Sequence, residues 1–411
     1  MSDETRVTRR AVLAGAALTA GGMLLEKLPR AAATPATEGA PVESATLPGG
    51  GTSAISARSP FESPARTPAG IQTGPAYSPI HQLTGTITPS DLVFERHHSG
   101  VAIIDPSKYK LLVHGLVDRS LVFNLADLER FPSVSRVHFI ECSGNGRNGY
   151  RDPKPELTPQ MIDGLTSNGE WTGVPLSVVL NEVGVQRSAT WFLAEGGDAA
   201  KLSRSIPIEK ALDDALLVYA FNGEPLRPAN GYPVRLLLPG FEANTCIKWI
   251  RRIKLIDQPN MSRDETAKYT DPLPDGTARQ FSFVMDAKSI ITRPASPMRL
   301  DRGWHEISGL AWSGRGKITR VDVSTDGGAQ WMPAQLQEPV LSKAHTRFRL
   351  MWEWDGRAAT LMSRAVDDTG YIQPARAAFE AARGAGTDFH FNHIRAWVVE
   401  PDGAVQFGVA L

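Results

Sequence analysis

The stretch "HFIECSGNGRNGY", residues 138–150, concentrates more reactive chemistry than any other part of the chain. Gly144, Gly146 and Gly149 fit the dinucleotide pattern G-x-G-x-x-G, and the run "VSRVHFI" before them reads as a buried strand. A dinucleotide turn needs a helix that starts at the glycines and holds the pyrophosphate on its N-terminus, then a second strand ending in an acid about 20 residues on. Here the glycines lead into "YRDPKPELTPQ", where Pro153, Pro155 and Pro159 leave no helix. Asp163 lies at the right distance but follows no buried strand. Without its context the pattern carries little weight. What remains is a thiol, Cys142, at a strand exit, flanked by small residues that let a large ligand approach the backbone, with Arg147 five positions on. A thiolate suits a soft transition metal. A buried free cysteine, or a nucleophile served by His97 or His98, is also compatible with these residues.

The elements that must position this thiol alternate between strand and helix signals from "SDLVFERHHSG", near residue 90, to about 275. "KLLVHGL" reads as a strand, and Asn124 with Asp127 forms a capping box for a short helix, "LADLERF". Pro175 opens "LSVVLNEV" and Gly184 closes it, while Asn222-Gly223 between apolar runs signals a two-residue hairpin. Hairpins mixed with isolated helices argue for α+β over a doubly wound parallel sheet. After residue 283 the pattern changes to alternating strands around Gly327-Gly328 and Asp402-Gly403 turns, interrupted only by the helical "ARAAFEAAR". That is the signature of a β-sandwich, with most tryptophans there serving as core or cross-strand packing.

The chain has 411 residues, 42% of them hydrophobic and 21% charged, with 44 basic and 44 acidic side chains. It is long enough for two cores and has no net field to draw it to nucleic acid. Residues 1–33 read as an export signal: Thr8-Arg9-Arg10, an apolar stretch from Ala11 to Leu25, then Ala31 to Ala33 for cleavage. The twin arginines specify export of an already folded protein, and folded export suits a chain that receives a cofactor first. The apolar stretch is shorter than the roughly 20 residues that a membrane span needs. The mature protein is therefore expected to be periplasmic and without a span. Residues 34–80, rich in Pro, Ala, Ser and Thr, read as an extended arm. Cys142 and Cys246 are the only cysteines, so at most one disulfide exists, and c-type haem and all-cysteine iron–sulfur clusters are excluded. A Cys142–Cys246 disulfide would remove the metal reading.

"ECSGNGR" resembles the cysteine loop of the sulfite oxidase family of molybdenum enzymes. In that family the thiolate binds molybdenum beside a pterin dithiolene, and an arginine five residues on faces the substrate anion. "FERHH", "EWTGVPLSVVL", "FLAEGGD", "NGEPLRPANGYPVRLLLPG", "IKWI", "VDVSTDGGAQW" and "SRAVDDTGYIQP" agree in order, across residues 85–411. Within the family, "FERHHSGV", "NMSRDETAKYTDPLPDG" and a helix-lacking "GNGRNGY" are most similar to the sulfane dehydrogenase branch. The resemblance implies a molybdopterin domain over residues 81–282 and an immunoglobulin-like dimerisation domain over 283–411. It makes Cys142 the metal ligand and puts Phe94, Arg96, His98, Asp198, Arg235 and Lys248 on the pterin. Arg96 and Arg147 would hold the anionic substrate, with Trp171 and Tyr269 lining the same pocket. Family histidine and arginine-histidine positions are Asn230, Thr245 and Cys246 here, and Gly146 replaces an arginine, which suits a substrate larger or less compact than sulfite.

Two guanidiniums suit a tetrahedral oxyanion because their planar forks stay charged and donate paired hydrogen bonds. Two-electron oxidation of a sulfur lone pair lies beyond any side chain, in keeping with the molybdenum–molybdopterin cofactor that the resemblance implies. With no haem motif in the sequence, electrons are expected to pass to a c-type cytochrome subunit, within a homodimer that joins a hetero-oligomer. A sulfur carrier protein would present sulfane sulfur. Free-sulfite oxidation is the alternative, and a binding subunit that has lost turnover is a third reading.

Overall fold

The computed structural model describes residues 51–273 and 275–408, and the expected export signal lies outside them. The chain divides into a unit Met1–Phe61, whose described residues carry no helix or strand, and a unit Glu62–Leu411 that holds both domains. Order in the second unit begins earlier than the composition suggests. Strand Thr67–Pro68 pairs with Pro75–Tyr77, which pairs in turn with Glu95–Arg96, so the end of the expected arm is tied to the "FERHH" segment.

The first domain contains two five-stranded sheets. In one, Val134–Glu141 pairs with Thr166–Pro175, which pairs with Leu216–Phe221; Glu224–Pro225 and Arg235–Leu237 both pair with Leu216–Phe221. The Asn222-Gly223 hairpin forms as expected, both residues taking positive φ (49° and 79°), because a tight two-residue turn needs that backbone twist. In the other, Leu111–Gly115 runs parallel to Ile250–Ile256, and Trp191–Gly196 flanks it antiparallel. The capping box at Asn124 and Asp127 and the helix Leu176–Val183 between Pro175 and Gly184 also form. One apolar core, including Leu111, Val113, Phe192, Leu217 and Ile253, lies between these elements.

The second domain is a β-sandwich of two antiparallel sheets. Lys288–Arg293, Gly303–Trp312, Thr346–Trp354 and Gln335–Leu336 form one. Met332–Pro333, Ile318–Ser324, Ala359–Asp367, Ala396–Val399 and Val405–Phe407 form the other. Its core reaches into the first domain through Leu157 and Ile162, and Ile80, Phe139, Met285, Ile290, Leu310 and Trp312 fill the seam. The expectation of an α+β domain followed by a β-sandwich is met.

One local expectation fails. "GNGRNGY" is not free of helix: Arg147–Arg151 forms a short one behind Gly146, whose φ is +100°. The prolines do not oppose it, since Pro153 falls beyond its end and Pro159 opens the next helix, Pro159–Asp163, at a position where no amide hydrogen is needed. Gly146 is required there twice over, because a Cβ would also meet Arg395 Nη2 at 2.0 Å.

Candidate cofactor pocket

The residues that line the main pocket come from strand ends. Cys142 follows Val134–Glu141, Asp198 follows Trp191–Gly196, Arg235 opens its strand, Lys248 precedes Ile250–Ile256, and Phe94, Arg96 and His98 flank Glu95–Arg96. Asn230, Asn244, Cys246, Trp249 and Tyr269 complete a cavity of about 730 Å³, its open mouth included. Gly231 lets two walls meet: its φ is +111°, and a Cβ would stand 3.0 Å from Arg235 Cβ and 3.2 Å from Lys248 Cβ.

Cys142 and Cys246 are both free thiols, so the disulfide is absent. Cys246 is buried, and its Sγ accepts from the Leu238 amide at 3.3 Å. Burial pushes the Cys142 thiol up, against the opposing pull of the Gly144 amide and the Arg96 and Arg147 charges. Such a thiol ionises when a cation binds it. No group of three or more His, Cys, Asp or Glu able to hold a metal occurs among the described residues. A metal at Cys142 must therefore arrive with most of its ligands on a cofactor.

The other walls fit such a group. Arg235 is buried, with Nη1 donating to Asn230 O at 3.0 Å and Nη2 to Cys246 O at 3.1 Å, while Nε has no partner. Burial lowers its pKa to about 10. Asp198 Oδ2 accepts from Ser99 Oγ at 3.1 Å, and its buried Oδ1 has no partner. Lys248 Nζ donates to Arg96 O, Ala229 O and His97 Nδ1 at 3.1, 3.0 and 2.7 Å, and burial drives its pKa well below the usual lysine range. A phosphate or similar anion in the cavity would offset the burial of both basic groups and raise their pKa values, and a donor-rich ring would satisfy Asp198.

Tyr269 and His98 form the remaining pair, with the hydroxyl 2.8 Å from Nε2. Burial lowers His98 to about 4 and raises the Tyr269 phenol, so both are neutral at pH 7. Neither histidine serves Cys142 as a base. His97 Nδ1 is taken by Lys248, its Nε2 lies 3.0 Å from Glu95 Oε2, and His98 Nε2 faces Tyr269.

Two expected site residues stand elsewhere. Trp171 is fully buried behind the pocket and not on its wall; its indole donates to His138 O at 3.0 Å, and Arg235 lies over its ring at 5.3 Å. Arg147 also lies off the lining, bound to the second domain at Asp388. The lining residues that sequence reasoning had not assigned to the pocket include His97, Asn244 and Trp249. The doubled histidine in "FERHH" and the tryptophan of "IKWI" were their signals.

Residues 98–263 match the oxidoreductase molybdopterin binding domain, and residues 279–396 match the Mo-co oxidoreductase dimerisation domain. With the Cys142 pocket in the first, this is a two-domain molybdopterin oxidoreductase. The chain is 30% identical over 315 residues to mitochondrial sulfite oxidase of Rattus norvegicus, with 70% of this chain and 57% of that one covered. It is 30% identical over 312 residues to sulfite oxidase of Gallus gallus, covering 70% of this chain and 68% of that one. The chain thus spans little more than half the length of the mammalian relatives it matches. The crystal structure of the sulfane dehydrogenase SoxCD from Paracoccus pantotrophus superposes with a TM-score of 0.86 at 44% identity, covering 91% of this chain and 98% of that one. The chain belongs to the sulfite oxidase family, and its cofactor is molybdenum–molybdopterin.

Proposed function

We propose that this protein oxidises carrier-bound sulfane sulfur and passes the electrons to a c-type cytochrome subunit. The observation that carries the reading is the Cys142 thiol, in a cavity whose other thiol, Cys246, is engaged by Leu238 and whose buried Asp198 Oδ1 and Arg235 Nε have no partner within the protein. When bound, the cofactor supplies two-electron oxygen-transfer chemistry. The chain supplies placement and charge. Cys142 anchors the metal, Asp198 accepts from the pterin, and Arg235, Lys248, His98 and Phe94 hold its body. Arg96 and Arg147 place positive charge where the substrate's sulfur group arrives. Tyr269, kept protonated by burial, offers a hydroxyl that His98 orients. Trp171 supports Arg235 from behind.

Sulfane sulfur is favoured by the 44% identity to a sulfane dehydrogenase. The dimerisation domain supports a homodimer within the larger assembly, and the twin-arginine leader supports a periplasmic location. Among the described residues no helix is long and apolar enough to cross a membrane.

The test is ferricyanide reduction by purified protein of near-stoichiometric molybdenum content. With the cytochrome partner present, a persulfide-loaded carrier is expected to be turned over and free sulfite to be a poor substrate. Rapid turnover of sulfite without a partner would instead make this a free-sulfite dehydrogenase.

A further inference from the structure

Arg147 stands off the cavity lining, near enough to Cys142 for its charge to bear on the thiol, and it is already engaged. Its Nε and Nη2 donate to the carbonyl of Asp388 at 3.1 and 2.6 Å. The Asp388 carboxylate lies 3.6 Å from Arg147 Nε and 3.0 Å from Arg151 Nη1. Phe389 follows, its ring centroid 5.4 Å from the Arg147 guanidinium and 5.5 Å from the Tyr269 ring, so the phenyl group is a neighbour of both. His390 then turns the chain with a φ of +63°. Its amide donates to Ser143 O at 2.7 Å, directly beside Cys142, and its Nε2 lies 2.8 Å from Asp286 Oδ2. On the other side Arg151 Nη2 donates to Gly386 O and Thr387 O at 2.8 and 3.0 Å. The second domain thus lays a segment fixed at both ends against the cysteine loop.

We propose that Asp388 and Phe389 determine substrate choice, disfavouring the free sulfite dianion and favouring sulfur borne on a larger, less charged group. This rests on the sulfur-oxidising reading above. A guanidinium with two N–H groups committed has less of its fork left for a tetrahedral oxyanion. The carboxylate beside it offsets its charge, and the resulting deficit weighs twice as heavily on a dianion as on a monoanion. Phe389 adds an apolar face where a hydrated ion would lose solvent without replacement, whereas a carbon-linked persulfide would pack. Asp388 acts through Arg147 and is a specificity-determining residue that takes no part in the chemistry.

The experiment uses the molybdenum-loaded protein and its Asp388→Asn variant, with Asp388→Glu as the charge-conserving control. Sulfate binding is measured by calorimetry, which needs no turnover, and sulfite KM and kcat are measured beside it. Asp388→Asn is expected to tighten sulfate and lower the sulfite KM by roughly threefold to tenfold at low ionic strength, with the gain shrinking at 0.5 M salt as the charges are screened. The change should fall on KM rather than kcat, and Asp388→Glu should behave as wild type. Phe389→Ala should raise the KM for an alkyl persulfide by about threefold to tenfold through lost apolar contact. Unchanged sulfate affinity in Asp388→Asn at low salt would overturn the proposal. If sulfate tightens while the loaded protein oxidises neither sulfite nor persulfide, the electrostatic inference stands and the sulfur-oxidising reading is the one that fails.

Discussion

Asp198 carries a carboxylate oxygen for which the protein provides no donor. Ser99 Oγ satisfies Oδ2, and Oδ1 is buried bare. A buried acceptor without a donor costs about 1–3 kcal/mol, so a ligand N–H placed there recovers that amount. Asp198→Asn keeps the shape and discards the charge-assisted acceptor. It is expected to lower the molybdenum-to-protein ratio of purified protein by about tenfold, the equivalent of one lost hydrogen bond to a charged group. The melting temperature of the cofactor-free protein should not fall, since the burial cost of a charge is removed with it. Full molybdenum occupancy in that variant would take Asp198 out of the cofactor site. Cys142→Ser tests the other pole: a hydroxyl of similar size is a hard, weakly acidic ligand for a soft metal. Turnover is expected to fall at least about a hundredfold, and the cysteinyl thiolate-to-metal charge-transfer band should be lost while the dithiolene bands of any bound cofactor remain.

At the level of elements, the cysteine loop is held by a buried ion cluster that spans both domains. Glu141, the last residue of its strand, accepts from Lys288 Nζ at 2.9 Å, Asn145 Nδ2 at 2.9 Å and Trp312 Nε1 at 2.7 Å. Lys288 also lies 2.8 Å from Asp163, which pairs with Arg395 at 3.2 Å. Lys288 and Glu141 are each 1% exposed, so neither charge can turn to water when its partner is lost. Lys288→Met leaves Glu141 short of its cation and is expected to destabilise the fold by about 3–5 kcal/mol, read as a lower urea midpoint at unchanged slope. A loss under about 1 kcal/mol would mean that the charges do little to hold the loop. This cluster also shows which features a sequence can disclose. The Asn222-Gly223 hairpin, the capping box at Asn124 and the helix after Pro175 were legible because each depends on residues within a few positions of one another. Cys142 was legible because its type was out of place in a phosphate loop. Lys288, Trp312 and Asp388 were not, because their partners lie 147, 171 and 241 positions away across a domain seam that no local pattern announces. The helix Arg147–Arg151 was missed because prolines that forbid a long helix leave room for five residues before them.

The whole molecule depends on that seam, and the seam is built with histidines that must stay neutral. His345 of the second domain lies 2.9 Å from Thr166 Oγ1 and packs on Trp312 and Phe139, with ring centroids at 4.8 and 6.1 Å. Burial lowers it to about 3. His138, across the seam, is lowered to about 4 by burial, with Nδ1 3.3 Å from Lys343 O. His98 in the pocket is also lowered to about 4. An unfolded histidine titrates near 6.5, so between that pH and about 4 the unfolded chain binds protons that the folded chain refuses. Stability from these groups is therefore complete above about pH 6.5, falls as the pH drops, and levels off only below their folded pKa values. Glu95, lowered to about 2 mainly by its hydrogen bond to His97, carries the loss further down, since a depressed carboxylate gives up its contribution as pH falls from its unfolded value. Chemical denaturation from pH 7 to 4.5 should give an unfolding free energy that declines with a slope of at least about three protons near pH 5, from His98, His138 and His345 together with His393, which burial also lowers. His345→Gln keeps a donor and an acceptor facing Thr166 and removes one titration, so its slope should be smaller by about one proton. A wild-type stability flat across that range would mean that the seam opens to water and charges its histidines without separating the domains.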